Sequence, residues 1–148
     1  MGRKIGDNFL HSLVQIALRC GIGAGDEVIV PSFTFAATAN SVALTGATPV
    51  FADIAADDFT LDPASVEASI TEHTKAIMPV HLYGHPAKMD KLRAIADSHG
   101  LLLFEDAAQA HGASLNGTPV GAFGEFAMFS LYPTKNMTSG EGGMVSCA

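Results

Sequence analysis

Charged residues are scarce in this sequence, and positive charge is the scarcer kind. Asp, Glu, Lys and Arg make up 16% of the 148 residues, against roughly 25% in an average soluble domain. With 8 Lys and Arg against 15 Asp and Glu, the formal net charge is −7. Because nucleic acids and anionic membrane surfaces are bound by clustered Lys and Arg, the composition excludes both as expected partners.

Cysteine is also rare, and tryptophan is absent. Cys20 and Cys147 lie near opposite ends of the chain, which excludes a disulfide framework and a thiolate metal cluster. The polar start, Met-Gly-Arg-Lys-Ile-Gly-Asp, lacks the apolar run of a secretory signal peptide. We therefore expect a cytoplasmic protein in a reducing compartment.

No charge occurs between Glu27 and Asp53, a stretch longer than the roughly 20 residues of a membrane-spanning helix. Pro31, Gly46 and Pro49 divide this stretch into short elements, however, and predict a buried part of a soluble core. Hydrophobic residues make up 48% of the sequence and the mean hydropathy is +0.28, which excludes intrinsic disorder.

Helical and strand-like segments alternate along the chain. Apolar periodicity predicts helices over 8–20, 34–44, 63–71 and 89–99, and strands over 28–30, 50–54, 76–82, 101–104, 126–131 and 143–147. Pro79 interrupts the third strand, which predicts a sheet edge or a bulge there. Strands without polar alternation, separated by helices, indicate an α/β fold with a mostly parallel sheet flanked by helices. Ligands of such sheets bind beyond the carboxyl ends of the strands.

Asp106 is the first residue with a candidate chemical role, because it closely follows the apolar strand 101–104 at the expected ligand edge. Its carboxylate either serves a ligand or caps a helical turn over 107–110. Glu105 beside it is expected to point to the opposite side of the sheet.

Lys135 is the only charged residue between Glu125 and Glu141. It is either an exposed loop residue or a partly desolvated amine, whose lowered pKa would make it a nucleophile toward carbonyl groups. Ser130, shortly before it, could contact a phosphate. Phe35, after the first strand, either stacks on a flat ligand or packs in the core.

His81 and His85 are four residues apart, a spacing that binds zinc when both residues lie on one helix. Gly84 and Pro86 flank His85 and argue against a helix. We therefore predict no metal site and interpret these histidines as polar loop or pocket residues. A metal-dependent hydrolase built on them and His111 is a remote alternative.

Four motifs occur in a fixed order from about Gly21 to the end of the chain: GIGAGDEVIVPSFTFAATANSVALTGATPVFADI, TKAIMPVHLYGHPAKMDKL, LLLFEDAAQAHGA and FSLYPTKNMTSGEGGMV. In order and spacing they resemble the DegT/DnrJ/StrS-type nucleotide-sugar aminotransferases. The resemblance implies the aspartate-aminotransferase-like fold (fold type I), with pyridoxal 5'-phosphate (PLP) as cofactor. It also implies transfer of an amino group, usually from glutamate, to a keto sugar attached to a nucleotide, in polysaccharide or antibiotic biosynthesis.

The same resemblance implies roles for five residues. Lys135, in FSLYPTKN, resembles the lysine that forms the Schiff base with PLP and later moves the proton. Asp106 and Gln109, in EDAAQAHG, resemble the carboxylate that pairs with the pyridine nitrogen and the contact to the ring's hydroxyl side. Phe35 resembles the aromatic side chain stacked on the ring, and Ser130 resembles a phosphate ligand. Because dehydrases of the family carry a histidine in place of the lysine, Lys135 favours transamination.

Two features depart from the family pattern. The Gly-Thr turn that cradles the cofactor phosphate in the family aligns with Phe9-Leu10-His11, so we expect an absent or altered cradle. Family members are more than twice as long, so we expect residues 1–148 to form an incomplete cofactor-binding large domain without the C-terminal small domain. The resemblance implies a homodimer for the full-length form. A truncated, non-catalytic fragment of such an enzyme is the alternative.

Overall fold

The computed structural model describes residues 8–147, and the side chains of residues 10–147. Its strands are β1 (Glu27–Pro31), β2 (Thr48–Ala52), β3 (Thr74–Ile77), β4 (Leu102–Asp106), β5 (Ser114–Leu115), β6 (Thr118–Pro119), β7 (Phe126–Ser130) and β8 (Gly143–Cys147). Six of them form one sheet in the order β2-β1-β3-β4-β7-β8, and β5 pairs with β6 in a separate hairpin. Neighbouring strands of the large sheet run parallel, except β7 and β8, which are antiparallel.

Helices cover both faces of this sheet. They are α1 (Asn8–Arg19), α2 (Ala37–Ala43), α3 (Pro63–Ala68) and α4 (Met89–His99). Val28 and Val30 of β1 pack in one core cluster with residues of α1 and α2, whereas Ile29 packs in another with α3 and α4. Burial on both faces explains the lack of polar alternation in the strands and confirms the predicted α/β fold. None of the helices in the described part of the chain is long and apolar enough to cross a membrane.

Of the two alternatives predicted for Pro79, the sheet edge is wrong, and an interruption within the ladder is observed instead. The third strand ends at Ile77 and lies in the interior of the sheet, between β1 and β4. Pairing resumes at Val80, which forms an isolated parallel β-bridge with Asp106. Between these points the carbonyl oxygen of Pro79 accepts the Asp106 N–H at 2.9 Å. Proline has no backbone N–H to donate, but it still provides this acceptor to the neighbouring strand β4.

The hairpin of β5 and β6 was not predicted, although the sequence carries a signal for it. Asn116 and Gly117 lie between the two strands, with φ angles of 52° and 84°. Two consecutive positive φ angles are required by the two-residue type I′ turn, for which Asn-Gly is a favoured sequence. The short length of both strands hid the alternation that would have indicated them.

Gly124 lies where two backbone segments touch. A Cβ atom at this residue would lie 2.3 Å from the carbonyl oxygen of Leu103. We expect Gly124→Ala to lower the free energy of unfolding by about 3 kcal/mol, because the segments must move apart. Denaturant unfolding measures this effect. Gly23→Ala is the matched control, since its Cβ would lie 3.9 Å from the Thr45 carbonyl oxygen; equal losses in both variants would contradict the steric argument.

Candidate functional site

A cavity of about 570 Å³ lies at the carboxyl ends of β4 and β7 and beside the segment that follows β1. All five residues with predicted roles line it: Phe35, Asp106, Gln109, Ser130 and Lys135. The remaining lining residues are Leu10, Thr34, Ala36, Ala37, Asn40, Val80, Ala108, Tyr132, Thr134, Glu141 and Gly142. The topology thus brings residues from separate parts of the sequence to the sheet edge that ligands of α/β folds occupy.

The carboxyl group of Asp106 is buried at the end of β4, where 3% of the residue is exposed. The Thr38 hydroxyl donates to Oδ2 at 2.8 Å, and the Ala108 N–H donates to Oδ1 at 3.1 Å. None of the ion pairs within residues 8–147 includes Asp106. Burial raises the pKa of Asp106, although both hydrogen bonds and the charge of Lys135 act in the opposite direction. This carboxyl group therefore lines the cavity without an ion-pair partner among the described residues.

Lys135 and Ser130 add an amine and a hydroxyl to the same lining. Lys135 lies in the loop after β7, where its backbone N–H donates to the Tyr132 carbonyl oxygen at 2.9 Å, and its side chain is half-buried. Ser130 is the last residue of β7 and is buried; its Oγ accepts the Tyr132 N–H at 3.4 Å. No ion pair of the described residues engages the Lys135 amine, so it is available to a ligand.

Phe35 and Gln109 complete the predicted set. Phe35 is 75% exposed, so the core-packing alternative is wrong for this residue, and its ring is available to a flat ligand. The Gln109 side chain accepts the Tyr83 N–H at 2.8 Å. Because a backbone N–H can only donate, the accepting atom must be Oε1, which leaves the Nε2 amide of Gln109 to donate to a ligand.

Outside the cavity lining, Glu105 and His81 form a fully buried pair that sequence reasoning did not find. Glu105 Oε2 accepts from His81 Nε2 at 3.1 Å and from the Gly121 N–H at 2.8 Å. Its Oε1 accepts the N–H groups of Phe123 and Gly124 at 2.9 and 2.8 Å. Burial alone raises the pKa of Glu105, but the hydrogen bonds from His81, Gly121 and Gly124 outweigh it and hold that pKa below its ordinary value.

The lowered pKa of Glu105 predicts acid-sensitive stability. Its contribution is complete above the pKa of the unfolded chain and is lost as the pH falls through the lower pKa of the folded protein. We expect Glu105→Gln to lower the free energy of unfolding by roughly 2 kcal/mol at neutral pH and by less in acid, where the parent carboxylate is itself protonated. Denaturant unfolding across this pH range measures the difference, and a difference that is independent of pH would contradict the prediction.

The histidines do not come together as a metal site. Within residues 8–147 no group of three or more His, Cys, Asp or Glu side chains is arranged to hold a metal ion. His85 is exposed, whereas the ring of His111 packs against Phe129 with the centroids 5.5 Å apart.

The expected change at the phosphate cradle falls partly outside the described residues. Leu10 lines the cavity, so an apolar side chain occupies part of the segment aligned with the Gly-Thr turn. The side chain of Phe9 is not among those described. An absent or altered cradle therefore stays a prediction.

The fold matches part of the fold of the PLP-dependent aminotransferases. The X-ray structure of S. venezuelae DesV in complex with a ketimine intermediate aligns with a TM-score of 0.89 and 55% sequence identity, covering 95% of this chain and 38% of that chain. A sequence model of the DegT/DnrJ/EryC1/StrS aminotransferase family matches residues 10–148. The chain belongs to this family, which confirms the resemblance inferred from the motifs.

Two relatives show how names vary within this family. The dTDP-3-amino-3,4,6-trideoxy-alpha-D-glucose transaminase of Streptomyces venezuelae is 54% identical over 143 residues, which cover 95% of this chain and 38% of the relative. A pleiotropic regulatory protein of Geobacillus stearothermophilus is 54% identical over 141 residues, covering 95% of this chain and 37% of the relative. The chain thus spans less than two-fifths of the length of the relatives it matches.

Proposed function

We propose that this chain is the incomplete cofactor-binding large domain of a PLP-dependent aminotransferase that aminates a keto nucleotide-sugar. The observation that carries the proposal is the joint lining of one cavity by Asp106, Lys135, Gln109, Phe35 and Ser130. Membership of the aminotransferase family supports the same reaction class. The activity and substrates of a whole protein containing this chain are part of the proposal, because the chain spans only 38% of its transaminase relative.

The residues of the cavity fit PLP by their chemistry. Asp106 is a buried carboxyl group with neutral hydrogen-bond donors and no ion pair among the described residues, which suits a protonated ring nitrogen as its missing cation. The exposed ring of Phe35 would bound the face of the cofactor, and the Gln109 amide would donate to its ring oxygen. The Ser130 hydroxyl would contact the phosphate. When bound, PLP supplies an electron sink for the carbon that loses or gains the amino group.

Lys135 performs the two tasks that require an amine. Its Nζ would bind the cofactor's carbonyl carbon covalently with loss of water, and once displaced by the substrate amine the same atom would take and return the proton that moves between two carbons. The negative charge of the Asp106 carboxylate would lie beside the ring nitrogen of the cofactor and keep that nitrogen protonated. The cavity lining restrains these groups in one geometry, which supplies much of the rate of such reactions.

For the substrates, we propose glutamate as the amino donor and a keto sugar linked to a nucleotide as the acceptor. The transaminase relative is named for a dTDP-linked amino sugar, which supports this class of acceptor. A cytoplasmic location and a homodimer of the full-length form complete the proposal. The alternative is a truncated, non-catalytic fragment of such an enzyme, and the apolar Leu10 in the cavity lining favours it.

Two experiments separate these proposals. Sequencing the flanking DNA shows whether the reading frame continues past Ala148, and an in-frame continuation counts against the truncated fragment. The protein encoded by the whole frame is then incubated with PLP, glutamate and keto nucleotide-sugars. The proposal expects 2-oxoglutarate and an aminated sugar in equal amounts. No amino transfer to any of these sugars would contradict it.

Residues 1–148 alone are expected to have little or no transaminase activity. The predicted change in the segment around Leu10, and the part of the relatives' length that this chain does not span, would remove positioning contacts, and poor positioning lowers rates by orders of magnitude. The production of 2-oxoglutarate from glutamate measures this directly. Turnover by this chain comparable with that of a full-length relative would overturn the expectation.

A further inference from the structure

Tyr83 adopts a backbone conformation that an ordinary side chain avoids. Its φ is 54° and its ring is 77% exposed, so burial of the ring does not offset the strain. Strained residues persist where their surroundings impose the conformation, and they cluster at functional sites. The Tyr83 N–H donates to Gln109 Oε1 at 2.8 Å. The conformation therefore aims a donor at a residue that lines the cavity.

The segment around Tyr83 is held close to Gln109. At the neighbouring Gly84, a Cβ atom would lie 3.2 Å from the Gln109 carbonyl oxygen, so the segment has little room to move toward it. The Gly84 N–H donates to the His81 carbonyl oxygen at 3.3 Å, which closes the turn on the side of His81.

The ring of His81 anchors both ends of the segment 81–87. Its Nδ1 accepts the Ala87 N–H at 3.0 Å, and because a backbone N–H can only donate, Nδ1 carries no proton. The proton of the neutral ring is therefore on Nε2, which donates to Glu105 Oε2 at 3.1 Å. The hydrogen bond to Glu105 thus sets the orientation of the His81 ring, and the hydrogen bond from Ala87 to that ring holds the segment 81–87 in place.

We propose that Glu105 is a positioning residue for the cavity. Through His81 it holds segment 81–87, the Tyr83 N–H of that segment fixes the Gln109 amide, and the Nε2 of Gln109 is thereby kept ready to donate to an anionic or carbonyl oxygen of the ligand. The chain of contacts is a property of the protein alone. Its effect on PLP rests on the proposed function.

Glu105→Gln tests the first link. Each carboxylate oxygen of Glu105 accepts two hydrogen bonds. In Glu105→Gln one of these oxygens is replaced by an NH2 group, which donates and cannot accept, so two of the four donors lose their acceptor whichever way the amide is oriented. We expect the amide hydrogen of Tyr83 to exchange roughly tenfold faster, relative to that of Ile22, which donates to Ala17 in the distant α1 region. Hydrogen exchange observed by NMR on the ligand-free protein measures this ratio.

Glu125→Gln is the matched control. Glu125 also accepts a backbone N–H, that of Leu103, and pairs with Arg93, but its side chain bonds neither His81 nor the segment 81–87. It is expected to lower global stability without changing the Tyr83 to Ile22 ratio. An unchanged ratio in Glu105→Gln, or an equal change in both variants, would overturn the proposal.

Gln109→Leu tests the second link, because it removes the Oε1 acceptor of the Tyr83 N–H together with the Nε2 donor. It is expected to raise Tyr83 exchange by the same roughly tenfold factor, and an unchanged rate would overturn the proposal. Should Glu105→Gln not fold, Glu105→Asp, which keeps both oxygens but shortens the side chain, takes its place with the same expectation.

A double-mutant cycle on PLP affinity completes the test. If Glu105 acts through Gln109, Glu105→Gln weakens PLP binding in the parent but adds little in the Gln109→Leu background. Fully additive losses would overturn the positioning role. If no variant and not even the parent binds PLP, the proposed function fails, while the exchange ratios still decide the positioning proposal.

Discussion

Asp106→Asn is expected to stabilise the ligand-free protein while weakening PLP binding. An asparagine matches the existing contacts, because its oxygen can accept the Ala108 N–H and its amide can donate to the Thr38 hydroxyl oxygen. Because the buried carboxylate has no ion-pair partner among the described residues, removing it is expected to raise the free energy of unfolding by about 1 kcal/mol at pH values above the folded-state pKa of Asp106. Losing one partner of the proposed buried charge pair is expected to weaken PLP binding roughly a hundredfold.

The pH dependence of this gain has a definite sign. The pKa of Asp106 is raised in the folded protein, so the folded state holds the proton more tightly than the unfolded chain. The parent therefore loses stability relative to Asp106→Asn as the pH rises through the folded-state pKa, and the two converge in strong acid. Chemical unfolding at several pH values and a PLP titration measure both effects. A variant that is less stable than the parent above that pKa would contradict the assigned environment, and a variant that binds PLP as the parent does would contradict the assigned role.

Lys135→Ala is expected to abolish amino transfer in the protein encoded by the whole reading frame. The loss of proton transfer alone costs up to roughly ten-thousandfold in rate, and the loss of the nucleophile adds to it. The noncovalent contacts from Asp106, Gln109 and Ser130 remain, so PLP still associates with the variant. A single-turnover assay with glutamate measures the rate, and equilibrium dialysis measures the association.

Lys75→Ala provides the control for Lys135→Ala. Lys75 is an exposed lysine of β3 that does not line the cavity, so its replacement removes the same charge without touching the site. It is expected to leave amino transfer unchanged. Amino transfer retained by Lys135→Ala, or lost equally in both variants, would remove Lys135 from the proposed chemistry.

The sequence predicted the alternation of elements well, because apolar strands buried on both faces have few other interpretations. The helix prediction over 63–71 began correctly because Asp62 accepts the Ala64 N–H and Pro63 opens the helix. It ran too far, since no comparable signal marks the end at Ala68. The edge alternative for Pro79 failed because local rules do not distinguish an edge strand from an interior strand whose pairing is interrupted, here between Ile77 and Val80.

The five residues of the cavity lining were predicted by the family resemblance, whereas the residues alone left open whether Asp106, Lys135 and Phe35 serve a ligand. The two readings of Asp106 were not exclusive: it lines the cavity and also accepts the Ala108 N–H, although residues 107–110 form a turn and not a helix. The pair of Glu105 and His81 was missed because the two residues are 24 positions apart and no periodic pattern joins them. Contacts of this kind depend on how the strands register, which composition and spacing do not encode.

The central claim, that this cavity holds PLP on Lys135, is tested most directly by mapping the site of attachment. The purified protein is incubated with PLP, reduced with borohydride and digested, and the peptide that carries the reduced cofactor is identified by mass spectrometry. The account predicts the modification on Lys135, with the other lysines of the chain modified only in trace amounts. Modification that is spread over surface lysines, or that is as strong in Lys135→Ala as in the parent, would contradict it.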